Sequence, residues 1–278
     1  MTIEAKIIAD SISEAGARIT TLELKYPRFI HSEFMTHRVF SRSASSSRAI
    51  PVAKMLDQVR NNPATPIHWG KNQPGMQARE ELEQPHLDMC KGGWVVAANE
   101  MANIVEGLLK EGLHKQVANR LLEPFQHISV VVTSTEWDNF FELRDHPSAQ
   151  PEMQELAKVM MAARNGSIPE LLYQGAWHLP YVGHLEREDY PVGTAAKISA
   201  ARCARVSYLT HNGEKPNFVD DLALFEKLAG SVPSHASPLE HQATPCRSAE
   251  VWSGNFRGWL QFRQEYFNVP PYFKTEAP

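Results

Sequence analysis

Ala5-Lys6-Ile7-Ile8-Ala9-Asp10 and Ala17-Arg18-Ile19-Thr20-Thr21-Leu22-Glu23-Leu24, joined through Ser13-Glu14-Ala15-Gly16, decide the architecture. Both runs read as strands. In the second, Ile19, Thr21 and Glu23 alternate with Thr20, Leu22 and Leu24. Alternation at period two across turn-forming residues predicts an antiparallel hairpin, ended by Pro27. Ser129-Val130-Val131-Val132-Thr133 reads as a further, buried strand. Helical patterns surround these strands. Ile30 to Arg38 is expected to be helical and to run into a polar loop, Ser41 to Arg48. Pro51 sits where a helix accepts its first residue, with Val52, Met55, Leu56 and Val59 at core spacing. From Trp94 a stripe of Ala97, Met101, Ile104, Val105 and Leu108 predicts a helix stopping near Gly112. Val117, Leu121 and Leu122 suggest a short helix ending at Pro124, and Met153, Leu156, Met160 and Met161 another, with methionine as core filler. Ile198 to Val206 and Phe218 to Leu228 read as helices, the latter capped by Asn217. Asn61 to Pro85 reads as a long excursion, Leu179 to Gly193 as a linker, and Ser253 to Phe267 as one amphipathic helix.

A chain of 278 residues allows one large domain or two small ones. With 42% apolar and 22% charged residues it can bury a real core, which excludes global disorder. A net charge of −4 argues against a broad basic nucleic-acid face. The longest apolar run, Trp94 to Ala98, falls far short of the roughly 20 residues that span a bilayer. Met1 to Lys6 has no basic stretch leading into an apolar one, and Cys90, Cys203 and Cys246 form no paired framework. The expectation is a reduced, cytoplasmic protein.

Chemistry-bearing residues gather in a few places. Ser46-Ser47-Arg48 stands directly before a helix, where hydroxyls, backbone N–H groups and a guanidinium suit a phosphate; a solvated loop is the plainer reading. Arg120 and Arg144 each follow apolar residues, as snorkelling side chains do and as ligand-reaching guanidinium groups also do. His235 and His241 flank Glu240 but lack the i, i+4 geometry of a helix-borne zinc pair, so structural or ligand-contacting roles are expected and no metal. Glycine-rich dinucleotide and phosphate loops and the nucleophile elbow are all missing from the sequence.

Together these pieces resemble the flavin-dependent thymidylate synthases, the ThyX family. Thr36-His37-Arg38, seven residues, then Ser46-Ser47-Arg48 is similar to its signature. Val117-Ala118-Asn119-Arg120 with Pro124, Asn139-Phe140-Phe141-Glu142-Leu143-Arg144, and Ala149-Gln150-Pro151-Glu152-Met153 resemble its downstream blocks. Ile198 to Tyr208 and His235 to His241 look like its opening blocks, which here follow the signature. The segment order is therefore expected to be circularly permuted. Matched blocks cover about 17–48, 113–163 and 194–243, within one catalytic domain over 1–278 that carries an insertion near 61–93 and an extra tail near 249–278.

The resemblance implies an α/β fold with a twisted, mainly antiparallel sheet flanked by helices, assembled as a homotetramer with sites between subunits. It implies methylation of dUMP to dTMP, with FAD as cofactor and NADPH and methylenetetrahydrofolate (a folate) as cosubstrates. A relative that hydroxymethylates or otherwise modifies a pyrimidine nucleotide is the first alternative. A non-catalytic nucleotide- or nucleic-acid-binding protein is the second. Arg144, Ser46 and His235 match catalytic positions. Arg144 would face the uracil and Arg120 the phosphate from a neighbouring subunit, with Glu33, Thr36, Ser46, Ser47 and Arg48 also on the nucleotide. His37, Arg38, Asn139, Ser207, Ser237 and Glu240 match flavin contacts, and His235 a histidine beside the flavin. Where the family has arginine and glutamine, this chain has Thr36 and Glu33; Ser43 and Ala44 replace an asparagine and a glutamate. The loss of that arginine and the gain of the Glu33 carboxylate by themselves make the pocket about two charges less positive, and Arg42 is expected to compensate.

Overall fold

A computed structural model describes residues 2–206 and 217–273. The hairpin forms as expected. β1 (Glu4–Ser13) and β2 (Arg18–Pro27) pair antiparallel around a turn in which Gly16 takes a positive φ of 82°. β3 (Ser41–Ala44), β4 (His127–Ser134) and β5 (Glu170–Leu172) complete a five-stranded sheet in the order β3-β4-β2-β1-β5. Its ladders are antiparallel except for β5 on β1. The helices are α1 (His31–Phe34), α2 (Val52–Asn61), α3 (His86–Lys110), α4 (Lys115–Ala118), α5 (Asp138–Arg144), α6 (Pro151–Asn165), α7 (His184–Asp189), α8 (Val192–Arg205), α9 (Phe218–Ala229) and α10 (Phe262–Tyr266). The fold is thus mixed α/β with a mainly antiparallel sheet flanked by helices.

The two sheet faces are unlike. Leu22 and Leu24 of β2 and Val130 and Val132 of β4 point to one side, where Met153, Leu156 and Met160 of α6 cover them. Phe34, Phe40, Trp137 and Phe140 extend this core toward α1 and α5. Burying such side chains stabilises by about 1.5–3 kcal/mol each, so this layer fixes where α5 ends and Arg144 begins. On the other side, Ser11, Thr21, Thr133 and Ser43 are buried hydroxyls, and Val131 packs there with Cys203 and Val206.

Several segments depart from expectation. The serines of 41–44 are a strand, because later segments bury them: Ser43 meets His241 and Ser41 meets Gln261. Ile30–Arg38 forms only a 3₁₀ turn and the single-turn α1. α3 begins before Trp94, running through Gly92 and Gly93; its buried residues are Ala98, Ala102 and Val105, of which Val105 was expected, while Met101 and Leu108 are half-buried and Ala97 and Ile104 are exposed. In the short helix it is Ala118 and Leu122 that are buried, while Val117 is exposed. The supposed linker is packed: Leu179, Tyr181 and Val182 are buried, and Arg202 holds the Tyr181 carbonyl at 2.7 Å. The tail is not one helix. β6 (Ala243–Pro245), β7 (Val251–Ser253), β8 (Phe256–Arg257) and β9 (Trp259–Gln261) precede α10, and β10 (Tyr272–Phe273) follows it. Gly254 and Gly258, both at positive φ, turn the chain there; a Cβ on Gly258 would lie 2.5 Å from that of Ala17.

Candidate active site

Glu33, Thr36 and His37 lie on the turn that α1 opens, and Arg144 is the last residue of α5. The aromatic core pins both elements. Phe140 of α5 packs against Phe34 and against the His37 ring, whose centroid lies 4.8 Å away. Arg144 Nε donates to His37 Nε2 at 2.9 Å, Nη2 donates to Thr36 Oγ1 at 3.3 Å, and Nη1 makes a close ion pair with Glu33 Oε1. Accepting at Nε2 requires a neutral imidazole with its proton on Nδ1. Burial, helped by Arg144 and Arg42, pushes the His37 pKa down to about 4. His37 therefore orients Arg144. Glu33 and Arg144 open on a cleft of about 1430 Å³, walled by Phe29, Trp94, His68, His146 and Gln150.

Arg42 is partly engaged by the backbone of the same turn. Its Nη1 donates to the carbonyls of Met35 (3.0 Å), His37 (2.9 Å) and, more weakly, Phe34, tying the turn to β3.

The serine loop and Arg120 form a second group. Asn119 Nδ2 donates to the Ser47 carbonyl at 2.8 Å, which sets the Arg120 turn beside the loop. Ser46 and Arg48 are exposed, Ser47 is buried, and Ser46 Oγ accepts from the Arg48 amide at 3.3 Å. Arg120 is mostly exposed and, among the described residues, reaches only Glu123, at 3.2 Å.

The 235–241 turn is a third group. His235 and Ser237 are exposed, Glu240 pairs with Arg263, and the Glu240 carbonyl accepts from Gln261. His241 is fully buried: Nε2 meets Ser43 Oγ and Nδ1 meets Thr133 Oγ1, each at 2.9 Å. This is the structural role weighed for it. Arg38 and Asn139 are exposed, and Ser207 lies outside the described residues. Among the described residues, no hydrogen bond or ion pair joins the three groups through the predicted site residues, apart from the docking of His241 on β3.

The sequence reading missed His178. It is fully buried, with Nδ1 at 2.9 Å from Ser11 Oγ and Nε2 at 2.8 Å from Thr21 Oγ1; Thr21 in turn meets Thr133 at 2.7 Å. Its partners lie more than 150 residues away, so nothing local marks it.

The thymidylate synthase complementing protein family matches residues 17–170, more than half of the chain, and the chain belongs to this family. The match includes the signature and both arginines but ends before the 194–243 blocks. Among solved structures, the chain is similar to a UMP/dUMP methylase PolB from Streptomyces cacaoi bound with 5-Br UMP. Identity is 14% and TM-score 0.46, over 58% of this chain and 88% of that one. It is also similar to Thymidylate Synthase X from Helicobacter pylori with FAD and dUMP, at 20% identity and TM-score 0.36, over 52% and 67%. No curated protein matches the chain. The family makes the chain a methyltransferase of the flavin-dependent thymidylate synthase type.

Proposed function

We propose that the protein methylates C5 of dUMP, with methylenetetrahydrofolate as one-carbon donor and NADPH as reductant, in a homotetramer. The observation that carries this reading is Arg144, held on the wall of the cleft by Glu33, Thr36 and His37, all inside the span that matches the family. C5 attacks as negative charge spreads over the N3, O2 and O4 edge, and a preorganised guanidinium stabilises that charge without reorganising. The phosphate goes to Ser46, Ser47 and Arg48, with Arg120 of a neighbouring copy completing that half. Exposure of Arg120 in the single chain supports such sharing.

A flavin needs a cation for its diphosphate and hydroxyl or amide donors for its polar edges. Arg38, Asn139, Ser237 and His235 are exposed and suit that demand, whereas His37 and Glu240 are engaged by Arg144 and Arg263. When bound, reduced FAD supplies the one-carbon relay and the electrons. The docking of the 235–241 turn on β3 supports reading 194–243 as the family's opening blocks in permuted order, within one catalytic domain.

Mass spectrometry tests the reaction, using purified protein with dUMP, FAD, NADPH and methylenetetrahydrofolate. A product heavier by CH2 is expected. A gain of CH2O would make the enzyme a hydroxymethylase, and binding of dUMP without turnover would make it a non-catalytic binder.

A further inference from the structure

Arg144 uses three of its five N–H donors on its own chain, and all three partners come from the five-residue turn 33–37. Two of them, Glu33 and Thr36, stand where the family has glutamine and arginine. The cluster consequently holds one guanidinium, one carboxylate and one neutral imidazole, and its net charge is zero. A phosphate brought here would meet the Glu33 carboxylate, so this half is no anion clamp. A neutral donor–acceptor pair suits a neutral imide instead, in which an N–H sits beside a carbonyl.

Among the described residues, Glu33 Oε2 has no hydrogen-bond partner, and two Arg144 N–H groups are likewise unused. Both side chains line the cleft and remain partly exposed, at 28% and 20%. We infer that Glu33 is a base-reading residue. Its second oxygen accepts the uracil N3–H while Arg144 donates to the adjoining carbonyl. This rests on the reading above that the substrate is a uracil nucleotide. Cytosine presents a bare lone pair at N3 and so sets it against the carboxylate. A methyl group on N3 removes the donor and fills its place. Leaning of N3–H on a carboxylate also moves electron density into the ring, toward C5.

Equilibrium binding of dUMP, dCMP and N3-methyl-dUMP to the full chain, with Glu33→Ala and Glu33→Gln variants, tests this. Wild type should prefer dUMP over each analogue by about 10- to 100-fold, the range for a hydrogen bond to a charged group. Glu33→Ala should bring both ratios close to one. Glu33→Gln should split them. Its amide can rotate to donate to cytosine N3, so discrimination against dCMP collapses, while the N3-methyl group stays excluded. A purely structural role for Glu33 predicts no such split. Unchanged ratios in a folded Glu33→Ala protein, or equal binding of all three ligands by wild type, would overturn the inference and leave the family reading intact. If Glu33→Ala does not fold, the split in Glu33→Gln decides. Failure of wild type to bind any of the three removes the uracil-nucleotide reading, and this inference with it.

Discussion

Arg144 and Arg120 both sit in short helical turns and both are proposed to hold the nucleotide, yet their surroundings are opposite. Arg144 is anchored by three side chains, and its side chain is only 20% exposed. Arg120 is 61% exposed and touches one carboxylate, which it shares with Arg28. The first half of the site is rigid and electrically balanced before any ligand arrives. The second is open and waits for charge. A group that stabilises charge developing on a ring must be fixed in advance. One that only recognises a phosphate can be ordered by the phosphate itself.

The largest effect should follow Arg144→Lys. One ammonium cannot span Glu33, Thr36 and His37 together, and it loses the planar fork that matches a heterocycle edge. A fall in kcat of about 100-fold or more is expected, with the protein still folded. A purely KM-type loss would erase the contrast. Arg120→Ala should instead raise the KM for dUMP by about 10- to 100-fold, since phosphate charge is the same in substrate and transition state. Arg120→Lys should retain activity at high dUMP, because charge alone suffices there. Steady-state kinetics of the three variants checks both halves.

Acid should sharpen the difference next. Burial lowers the pKa of His37 and His127 to about 4, and of His178 and His241 to about 3, from 6.5. Between those values the unfolded chain binds protons that the folded one refuses. Stability is therefore fully present above about pH 6.5 and is lost progressively as pH falls toward 3–4. Urea midpoints should drop steadily from pH 7 to pH 5. Hydrogen exchange should quicken at the 33–37 turn, where a protonated His37 can no longer accept from Arg144. The Ser46–Arg48 loop holds no histidine and should respond only to global unfolding. A flat midpoint over this range would refute the burial account.

The smallest effect belongs to cysteine, which neither half contains. Cys203 is fully buried, and burial pushes its thiol up, away from the thiolate; Cys90 is exposed on α3. Replacing Cys90 and Cys246 by serine and Cys203 by alanine should leave turnover largely intact. Covalent trapping of the nucleotide on any of them would contradict this.

The hairpin and α6 were legible through periods of two and 3.6, and β4 through a continuous apolar run, Val130 to Val132, between polar residues. Both arginines and the 33–48 stretch were legible through motif spacing. β3 was not, since serines that look solvated are buried only by residues some 200 positions later. In α3 the exposed Ala97 stands in the expected stripe where Ala98 is the buried one, because adjacent alanines give periodicity little grip. The pairing of Glu33 with Arg144 spans 111 residues and has no local signature, although the carboxylate itself was visible.

The hydroxyl row under the sheet carries a constraint of its own. Ser11, His178, Thr21, Thr133, His241 and Ser43 form one unbroken line across β1, β2, β4 and β3. With both imidazoles neutral, six protons serve five hydrogen bonds, so one proton is always in surplus. It can rest on Ser11, on Ser43 or on one of the two threonines, but not on an imidazole, each of whose nitrogens already faces a partner. If both rings turned bare nitrogens toward Thr21 and Thr133, no proton would remain for the 2.7 Å contact between the hydroxyls, so that combination is forbidden. The tautomers of two histidines from distant parts of the chain are thus correlated, as two switches wired through a common line. Cutting the line with Thr133→Val would let each ring choose for itself, and the nitrogen-15 shifts of His178 and His241 would report it.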